Sequence, residues 1–366
     1  MNILMIGGTG TISYDATKYF LSKGHQVFLL NRGHRNDLKY DNLSYIIGNA
    51  NNYDNLSTVL EDRVFDVILD FIIYNRVQME KRISIYKGKC KQFIFISSAT
   101  VYEPTASIIN EKSPVGNDSW SYSRAKLECE RYLEINAAQL GLNYTIIRPY
   151  ITYDVRRLPF PVITKGNYYS LIDRIVKGKP IIVCGNGDNK ITLTHTKDFA
   201  IALEGLLLNP IAQNQVFHIT GDCITTWNEI LDIICKHLNK KAEVVYIPAK
   251  ELAAYFPSER DELLYDKSCN HLFDNSKICR AVPEFKTTYL VEEGISLTVD
   301  NLVQTDSLHR IDDVWNDTID VIIEQYEKKR GHVIHKSSVR SRMQYHFHQD
   351  KVFWLVRKGL RVLKKF

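Results

Sequence analysis

The chain has 366 residues, of which 45% are hydrophobic, 24% charged and 11% aromatic. This composition is typical of a globular protein, and it excludes a disordered chain, a collagen-like repeat and a small disulfide-stabilised domain. The net charge of +5 is unevenly distributed, because residues 328–366 carry 12 Lys or Arg and a single acid. Residues 1–327 are therefore mildly acidic, and the net charge does not indicate nucleic-acid binding over the whole surface.

The first 150 residues alternate short apolar segments with longer amphipathic ones, which is the rhythm of βαβ units. Several apolar segments are rich in Val, Ile and Phe without alternation, as expected for a parallel sheet buried on both faces. Strands are predicted at 2–6, 26–30, 43–47, 67–71, 93–96 and 144–147. Helices are predicted near 12–23, 55–61, 77–87 and 119–140. The sequence therefore predicts an α/β fold with a doubly wound parallel sheet over residues 1–154.

The later half of the chain is less regular, with several prolines and glycines after about residue 153. Helices are predicted around 226–238 and 291–302. We expect residues 155–327 to form a smaller lobe that binds substrate, with segments around 190–222 returning to the first domain. Residues 328–366 are predicted to be a basic amphipathic tail.

The amino terminus predicts a strand and not a secretory signal, because it reaches Gly7 without a basic region or a cleavage site. No apolar segment approaches the roughly 20 residues of a membrane-spanning helix. Seven scattered cysteines form no C-x-x-C pair, and the odd number favours reduced thiols. Neither the cysteines nor the histidines have metal-binding spacing, so no metal is expected. These features predict a cytoplasmic protein.

The first strand ends in a glycine-rich turn, Gly7-Gly8-Thr9-Gly10-Thr11-Ile12-Ser13. Glycines between a strand and a helix let the backbone approach a pyrophosphate, whose charge the amino end of the helix favours. The third glycine of the usual pattern is replaced by Ser13. Such a turn alone is as often purely structural, but its place at the start of a βαβ series favours a dinucleotide site.

The second strand ends in Leu29-Leu30-Asn31-Arg32-Gly33, without the acid that usually holds the ribose 2′-hydroxyl of NAD. Arg32 and the nearby Arg35 suit a 2′-phosphate instead. We therefore expect Asn31 and Arg32 to contact the cofactor and expect NADP, with NAD still possible. The alternative is that both arginines are solvated loop residues.

A serine and a Tyr-x-x-x-Lys pair indicate acid–base chemistry. Ser98 follows the predicted fifth strand, and Tyr122 and Lys126 share one face of the next helix because they are four residues apart. A nearby ammonium stabilises a phenolate, which predicts a lowered pKa for Tyr122 and makes it suitable for proton transfer. The pair alone is more often an ordinary surface contact. Its position after the glycine turn and Ser98 favours the catalytic interpretation.

Together these motifs resemble the extended short-chain dehydrogenase/reductases, and more narrowly the NAD(P)-dependent nucleotide-sugar epimerase/dehydratase family. The resemblance covers about residues 1–325. It rests on Gly7-Gly8-Thr9-Gly10, Ser97-Ser98-Ala99-Thr100-Val101-Tyr102, Tyr122 with Lys126, Arg148-Pro149, Lys177-Gly178-Lys179-Pro180-Ile181, Gly185-Asn186-Gly187, His195-Thr196-Lys197-Asp198 and Asp274-Asn275-Ser276-Lys277.

The resemblance implies a role for each matching residue. Tyr122 is the acid/base on a sugar oxygen, Lys126 binds the nicotinamide ribose and tunes Tyr122, and Ser98 polarises the reacting oxygen with the help of Thr100. Hydride moves between the nicotinamide and a sugar carbon, usually C4, in surface-glycan or deoxysugar biosynthesis. A homodimer formed by helices of the Tyr122 type is also implied. The residues lining the cofactor pyrophosphate are Gly7, Thr9, Gly10, Thr11 and Ile12.

Departures from the family pattern narrow the reactions and the substrates that the resemblance implies. Ala99 and Thr100 follow Ser98 where dehydratases have an Asp-Glu pair, so 4,6-dehydration is not expected. Asn49 replaces an aspartate that often touches the adenine. Ile191 replaces an arginine that meets the nucleotide phosphates, and Lys190 is the candidate substitute. His195 is expected to pack or cap a helix and not to catalyse.

Two alternatives remain open at the level of sequence. The enzyme is either an epimerase or a 4-ketoreductase, and the rival class is a non-catalytic NADP-binding regulator or an RNA-associated relative. The retained Tyr122 and Lys126 favour an enzyme, and no nucleic-acid partner is expected. Residues 351–366 mix bulky apolar and basic side chains, which suits either peripheral contact with the inner membrane face or docking on the acidic body or on a second subunit.

Overall fold

The computed structural model describes residues 1–105 and 107–349. Its centre is a sheet of seven parallel strands, and short two-stranded pairs lie outside it. The strands in chain order are β1 (Asn2–Ile6), β2 (Gln26–Asn31), β3 (Leu43–Ile47), β4 (Phe65–Asp70), β5 (Cys90–Ile96), β6 (Tyr144–Pro149), β7 (Thr152–Tyr153), β8 (Ile181–Cys184), β9 (Ile191–Thr192), β10 (Thr194–His195), β11 (Gln215–Ile219), β12 (Ile224–Thr225) and β13 (Val244–Ile247).

Helices cover both faces of the sheet and form most of the second lobe. A short π-helical turn, Leu263–Lys267, follows α9. The helices are α1 (Thr11–Ser22), α2 (Tyr53–Val59), α3 (Arg76–Tyr86), α4 (Ser121–Leu140), α5 (Tyr169–Val176), α6 (Thr196–Gly205), α7 (Trp227–His237), α8 (Ala249–Tyr255), α9 (Arg260–Glu262), α10 (Ser276–Ala281), α11 (Val291–Gln304), α12 (Asp313–Lys329) and α13 (Val339–Gln349).

The central sheet has the strand order β11-β6-β5-β4-β1-β2-β3. The winding direction reverses beside β1, and a crevice opens there at the carboxyl ends of the strands. Strand β1 is buried on both faces: Ile3 and Met5 join one core with α1 and α6, while Leu4 and Ile6 join the other with α2, α3 and α4. This two-sided burial explains the lack of polar alternation in the strands.

The predicted α/β fold with a doubly wound parallel sheet is confirmed. All six predicted strands are present, although β4 ends at Asp70 and not at Phe71. The reason is local, because the Asp70 carboxylate accepts a hydrogen bond from the backbone N–H of Ile72 and turns the chain away from the sheet. Strand β11 was not predicted individually. It pairs with β6 and completes the sheet.

The second lobe packs around two further apolar clusters. Strand β8 pairs with β13, and the buried Trp227 of α7 lies in the cluster formed with α5 and α11. Helices α8 and α12 form the other cluster, which α13 joins through Tyr345. This arrangement places the lobe beside the carboxyl edge of β6, because the chain passes directly from β6 into β7 and then into the lobe.

The beginning of the predicted basic tail is ordered on the body. His335 lies between two carboxylates, with Nδ1 2.6 Å from Glu327 of α12 and Nε2 2.8 Å from Glu243. Glu327 also accepts the backbone N–H groups of Ile334 and His335. The predicted membrane-contacting segment 351–366 lies outside the described residues. Within the part that is described, no helix has the length and apolarity to cross a membrane.

The contacts of His335 with Glu327 and Glu243 predict a pH-dependent contribution to the free energy of unfolding. Partial burial lowers the pKa of His335, but its hydrogen bonds to Glu327 and Glu243 outweigh that effect and leave the pKa raised. The contribution is therefore complete below the unfolded pKa of about 6.5 and is lost as the pH rises through the folded pKa. Hydrogen bonds to charged groups are worth about 1.5–3 kcal/mol. We expect His335→Gln to lower the free energy of unfolding by about this amount at low pH.

Urea denaturation of the wild type and His335→Gln at about pH 6 and about pH 9 measures this effect. The difference between the two proteins should shrink at the higher pH. The exposed His332→Gln is the matched control, because its ring nitrogen lies 3.4 Å from the carbonyl of Arg330 and, among the described residues, forms no ion pair. An equal difference in the free energy of unfolding at both pH values would contradict a stabilising role of the protonated His335.

Candidate active site

The glycine-rich turn joins β1 to α1 and is held closely against the sheet. Gly7 has a φ of +84°, and a Cβ on Gly8 would lie 2.4 Å from Cδ2 of Leu29. The Ser13 hydroxyl donates to the carbonyl of Gly7 at 2.6 Å and accepts the N–H of Gly10 at 2.9 Å. The serine that replaces the third glycine therefore braces the turn.

A cavity of about 430 Å³ opens at this turn and extends along the ends of β2 and β3. Thr11 and Ile12 are the first residues of α1, and they lie outside the lining. The Ile12 side chain packs against the core. The predicted cofactor residues that line the cavity are Gly7, Thr9, Gly10, Asn31 and Arg32.

The rim of this cavity is basic. Arg32, His34 and Arg35 line it, and Arg35 donates to the carbonyl of Thr9 at 3.3 Å, so its side chain crosses towards the glycine turn. No acidic side chain among the described residues lines the cavity. A close backbone turn at a helix amino end, with two arginines beside it, fits a dinucleotide that carries a 2′-phosphate.

Tyr122, Ser98 and Thr100 meet at the carboxyl end of β5. The hydroxyl of Thr100 donates to Oγ of Ser98 at 2.9 Å, and Ser98 in turn hydrogen-bonds the phenol of Tyr122. The turn that carries them is tied to α4, because Ser123 and Asn117 both donate to the carbonyl of Thr100. The three hydroxyls thus form a short relay whose last member is Tyr122.

Lys126 lies one turn of α4 beyond Tyr122 and is almost fully buried. Its Nζ donates to the carbonyls of Ile73 at 2.6 Å and Ile96 at 2.8 Å, which follow β4 and end β5. It also lies 5.0 Å from the centre of the Tyr74 ring and 6.0 Å from that of Tyr122. Because an ammonium has three N–H donors, one remains to donate to a ligand hydroxyl.

The predicted lowering of the Tyr122 pKa is wrong for this structure. Burial raises the pKa of Tyr122 to about 12, although the hydrogen bond from Ser98 acts in the opposite direction. Burial also lowers the pKa of Lys126 to about 8. The ammonium is directed at two carbonyls, so the low polarity around the phenol outweighs it. Tyr122 is therefore a neutral phenol at neutral pH and is equipped to donate a proton.

Two buried ion pairs hold the site together. Arg148 of β6 makes two hydrogen bonds to Glu130 of α4, at 3.1 and 2.5 Å. Arg82 of α3 contacts both oxygens of Asp70, at 2.8 and 2.7 Å. Since Asp70 also fixes the turn that leads to Ile73, this second pair supports the carbonyl that anchors Lys126.

A polar cleft in the second lobe carries charged side chains that act on Tyr122. The charge of Arg157 lowers the pKa of Tyr122 and that of Glu262 raises it, so both lie within electrostatic reach of the phenol. They line a cavity of about 70 Å³ together with Lys165 and Lys267. Glu262 is 3.1 Å from Nζ of Lys165 and 3.5 Å from Nζ of Lys267.

Backbone irregularities mark the walls of this cleft. Ile151 has a φ of +22°, an uncommon conformation for a β-branched residue. The π-helical turn Leu263–Lys267 lies on the opposite wall, and π-turns occur frequently at functional sites. A larger cavity of about 560 Å³ shares Lys165 and Glu259 with the cleft and reaches Trp315. The cleft alone is smaller than the roughly 300–1,000 Å³ of a ligand pocket, whereas the adjoining cavity has that size.

The sequence did not point to several residues of this site. Tyr74 lines the cofactor cavity, and its position four residues after β4 was the available signal. Arg157 lies in an irregular segment and Glu262 ends the short helix α9, and neither carried a signal in the sequence. Asn49, which stands in place of the family's aspartate near the adenine, lines the cofactor cavity. Lys190, the candidate substitute for the arginine that meets the nucleotide phosphates, is exposed and lines none of the three cavities described above.

His195 has the predicted capping role, because its Nδ1 accepts the backbone N–H of Lys197 at the start of α6. Its ring also stacks on that of Tyr289, with 3.8 Å between the centres. Within residues 1–105 and 107–349, no three His, Cys, Asp or Glu side chains are close enough to share a metal ion.

A profile of the NAD dependent epimerase/dehydratase family matches residues 3–219, which is more than half of the chain. The chain belongs to this family. The matched segment runs from β1 to the end of β11 and therefore includes every strand of the central sheet. The resemblance predicted from the glycine turn, Ser98, Tyr122 and Lys126 is confirmed.

Two relatives of this family member differ in what their names describe. A chloroplast stem-loop binding protein of 41 kDa from Arabidopsis thaliana is 26% identical over 310 residues, which are 80% of this chain and 77% of the relative. A putative UDP-glucose 4-epimerase from Methanocaldococcus jannaschii is 24% identical over 288 residues, which are 69% of this chain and 88% of the relative.

The fold is also that of solved sugar-nucleotide epimerases. The structure of UDP-glucuronic acid 4-epimerase from Bacillus cereus in complex with NAD aligns with a TM-score of 0.68. The alignment covers 85% of this chain and all of the epimerase, at 17% identity. The family is thus shown by the sequence profile, and the structural likeness shows the fold.

Proposed function

We propose that the protein is an NADP(H)-dependent enzyme that transfers hydride at a sugar carbon, C4, of a nucleotide-linked sugar, in surface-glycan or deoxysugar biosynthesis. The supporting observation is the relay from Thr100 through Ser98 to Tyr122, with Lys126 anchored beside it and 5.0 Å from the ring of Tyr74, which lines the cofactor cavity. A protein that only bound a dinucleotide would not need this polar relay buried at the mouth of a second cleft.

The acid–base step follows from the state of Tyr122. When bound, the reduced dinucleotide supplies a hydride to the carbonyl carbon of a keto sugar. Tyr122 donates its proton to the carbonyl oxygen, which becomes a hydroxyl group. Ser98 donates a hydrogen bond to the same oxygen, and the third N–H of Lys126 is placed to hold a ribose hydroxyl. The basic rim beside the glycine turn, which suits NADPH, supports the 4-ketoreductase over the epimerase.

The choice between the two reactions has a direct test. The protein is incubated with NADPH and a panel of nucleotide sugars and their 4-keto derivatives, and product mass and NADPH absorbance are followed. Stoichiometric loss of NADPH with a product two hydrogens heavier identifies a ketoreductase. An isomer of unchanged mass without net loss of NADPH identifies an epimerase and contradicts the reductive assignment.

The basic rim supports NADP as the cofactor. We expect the double variant Arg32→Ser/Arg35→Ser to raise the dissociation constant for NADPH by about 10- to 100-fold, because charge-assisted hydrogen bonds contribute about 1.5–3 kcal/mol. The dissociation constant for NADH should change little. Fluorescence titration measures both, with the exposed Arg131→Ser as the control. Equal losses for NADPH and NADH would contradict a 2′-phosphate contact.

RNA binding is the second candidate, because one relative is named as a stem-loop binding protein. The retained Tyr122 and Lys126 and the acidic body of residues 1–327 favour the enzyme. Gel-shift titration with a stem-loop RNA, carried out beside the turnover assay, separates the two. Tight RNA binding without turnover of any sugar in the panel would establish this alternative.

We also propose that the enzyme is a homodimer. The supporting surface is the outer face of the α3–α4 pair, where Val77 and Ile135 are exposed. Sedimentation velocity of the intact protein measures the assembly, and a monomer at micromolar concentration would contradict it.

A further inference from the structure

Asn51 lies on the wall of the cofactor cavity, and side chains of α3 hold it there. It belongs to the loop between β3 and α2, lines the cavity and is exposed. Its Oδ1 accepts a hydrogen bond from Nη2 of Arg82 at 2.8 Å and a longer one from Nε2 of Gln78 at 3.4 Å. The side chain of Arg82 is 0% exposed. An exposed loop amide is therefore held by a fully buried charge.

These contacts determine which way round the Asn51 amide lies. A guanidinium has donors and no acceptor, so Arg82 requires Oδ1 of Asn51 and not Nδ2 on its side of the amide. Gln78 also presents its NH₂ group to Asn51, because its Oε1 accepts the backbone N–H of Tyr74 at 2.7 Å. Within the described part of the chain, Nδ2 of Asn51 donates to no protein group. Asn51 therefore keeps two N–H donors for a ligand in the cavity.

Asn49, two residues earlier, has a different task. Its Oδ1 accepts the backbone N–H of Asn51 at 3.1 Å, and its own backbone N–H donates to Oδ1 of Asn55 at 2.9 Å. The side-chain oxygen of Asn49 therefore closes the turn before α2. That turn brings Asn51 to the cavity wall as a hydrogen-bond donor.

The position of Asn51 matches the base of a dinucleotide. In this fold the pyrophosphate lies at the turn after β1 and the adenosine ribose at the end of β2, where Arg32 is found. The base is the next part of the molecule, and the loop after β3 is the next part of the cavity. Adenine carries ring nitrogens that accept hydrogen bonds, which complements the free N–H donors of Asn51.

We propose that Asn51 donates a hydrogen bond to a ring nitrogen of the cofactor's adenine and that Arg82 is the positioning residue that orients it. This inference rests on the proposed function, because it concerns the dinucleotide that the enzyme uses. Arg82 also contacts both oxygens of Asp70, which fixes the turn leading to Ile73, and the Ile73 carbonyl anchors Lys126. One buried ion pair thus supports the two ends of the cofactor site.

Calorimetric titration of the full-length protein with ADP-ribose and with 2′,5′-ADP tests the contact, since both probes carry the base and neither carries nicotinamide. We expect Asn51→Ala to raise both dissociation constants by the same factor of about 2 to 12, the range for one neutral hydrogen bond. The matched control is Asn136→Ala, whose Nδ2 donates to the carbonyl of Tyr132 within α4. Unchanged dissociation constants in Asn51→Ala would overturn the contact.

A pair of charge substitutions separates the contact from the support of the loop. Asn51→Asp keeps an acceptor for Arg82 and removes both N–H donors, so the loop stays held while the base loses its partner. Asn49→Asp adds the same charge to the same cavity wall. We expect ADP-ribose to bind more weakly to Asn51→Asp than to Asn49→Asp. Equal losses in the two variants would assign the effect to charge and contradict the hydrogen bond.

The role of Arg82 is tested in the background Asp70→Asn/Arg82→Met, which leaves no buried charge unpaired. Without the guanidinium the amide is no longer oriented, so adding Asn51→Ala should weaken ADP-ribose binding less in this background than in the wild type. The same loss in both backgrounds would contradict the positioning role.

These titrations fail separately from the proposed reaction, because they need neither a sugar nor hydride transfer. No binding of either probe to the wild type would overturn the inference. Sugar turnover together with wild-type affinity in Asn51→Ala would overturn the inference and leave the proposed function intact. Weaker binding in Asn51→Ala without turnover of any sugar in the panel would support the inference and count against the proposed reaction.

Discussion

Replacing Tyr122 with Phe is expected to lower turnover by about 100- to 10,000-fold, the range for removing a positioned acid. The change removes only the hydroxyl, so the dissociation constant for NADPH should stay close to that of the wild type. Tyr132→Phe on the same helix is the matched control, because it removes a phenol hydroxyl away from the site. Steady-state turnover and fluorescence titration measure the two quantities.

The pH dependence of turnover tests the protonation state of Tyr122. With a pKa raised to about 12, Tyr122 keeps its proton throughout the neutral range, so its deprotonation should not limit reduction between about pH 6 and pH 9. Unchanged turnover in Tyr122→Phe would remove the phenol from the mechanism. A parallel loss of NADPH binding would show that the substitution disturbed the cofactor cavity instead.

Replacing Arg82 with Met is expected to lower the free energy of unfolding by about 3–5 kcal/mol, because it leaves the carboxylate of Asp70 buried without its partner. Both side chains are 0% exposed, and the remaining hydrogen bonds to Asp70, from the Tyr86 hydroxyl and the backbone N–H of Ile72, do not replace a charge. Urea denaturation measures the change. Arg76→Met is the control on the same helix, since its exposed pair with Glu80 is worth at most about 1 kcal/mol.

A substitution at Asp70 shows whether Arg82→Met destabilises the protein through an unpaired charge or through lost packing. In Asp70→Asn/Arg82→Met no buried charge remains unpaired, so the double variant should be more stable than Arg82→Met alone. A double variant that is less stable than Arg82→Met would contradict the electrostatic explanation. Because Asp70 supports the turn before Ile73, Arg82→Met should also loosen the anchor of Lys126.

The parts of the fold that the sequence predicted are those set by local pattern. Uninterrupted apolar strands such as Asn2–Ile6 can only be buried on both faces, and this requirement leads to the doubly wound sheet. The four-residue spacing of Tyr122 and Lys126 places them on one helix face wherever the helix begins. Strand β11 was missed as an element because its pairing with β6 joins segments about 70 residues apart.

The parts that it did not predict depend on tertiary packing. The direction in which the pKa of Tyr122 shifts is set by how deeply the phenol is buried and by the two carbonyls that hold Lys126. The four-residue spacing in the sequence shows neither of these. Arg157 and Glu262, which influence the pKa of Tyr122 electrostatically, come from an irregular segment and from the short helix α9 of the lobe. The sequence showed Ser13 only as the replacement for the third glycine, because its two hydrogen bonds form when the turn has closed.

Transfer of deuterium from NADPH labelled at both C4 positions of the nicotinamide to a nucleotide-linked 4-keto sugar is the most direct test of the proposed reaction. Product mass is measured after a single turnover of the wild type and of Tyr122→Phe. We predict one deuterium on the sugar C4 with the wild type, and a product formed about 100- to 10,000-fold more slowly with the variant. Binding of labelled NADPH without deuterium in any sugar product would contradict hydride transfer at this site.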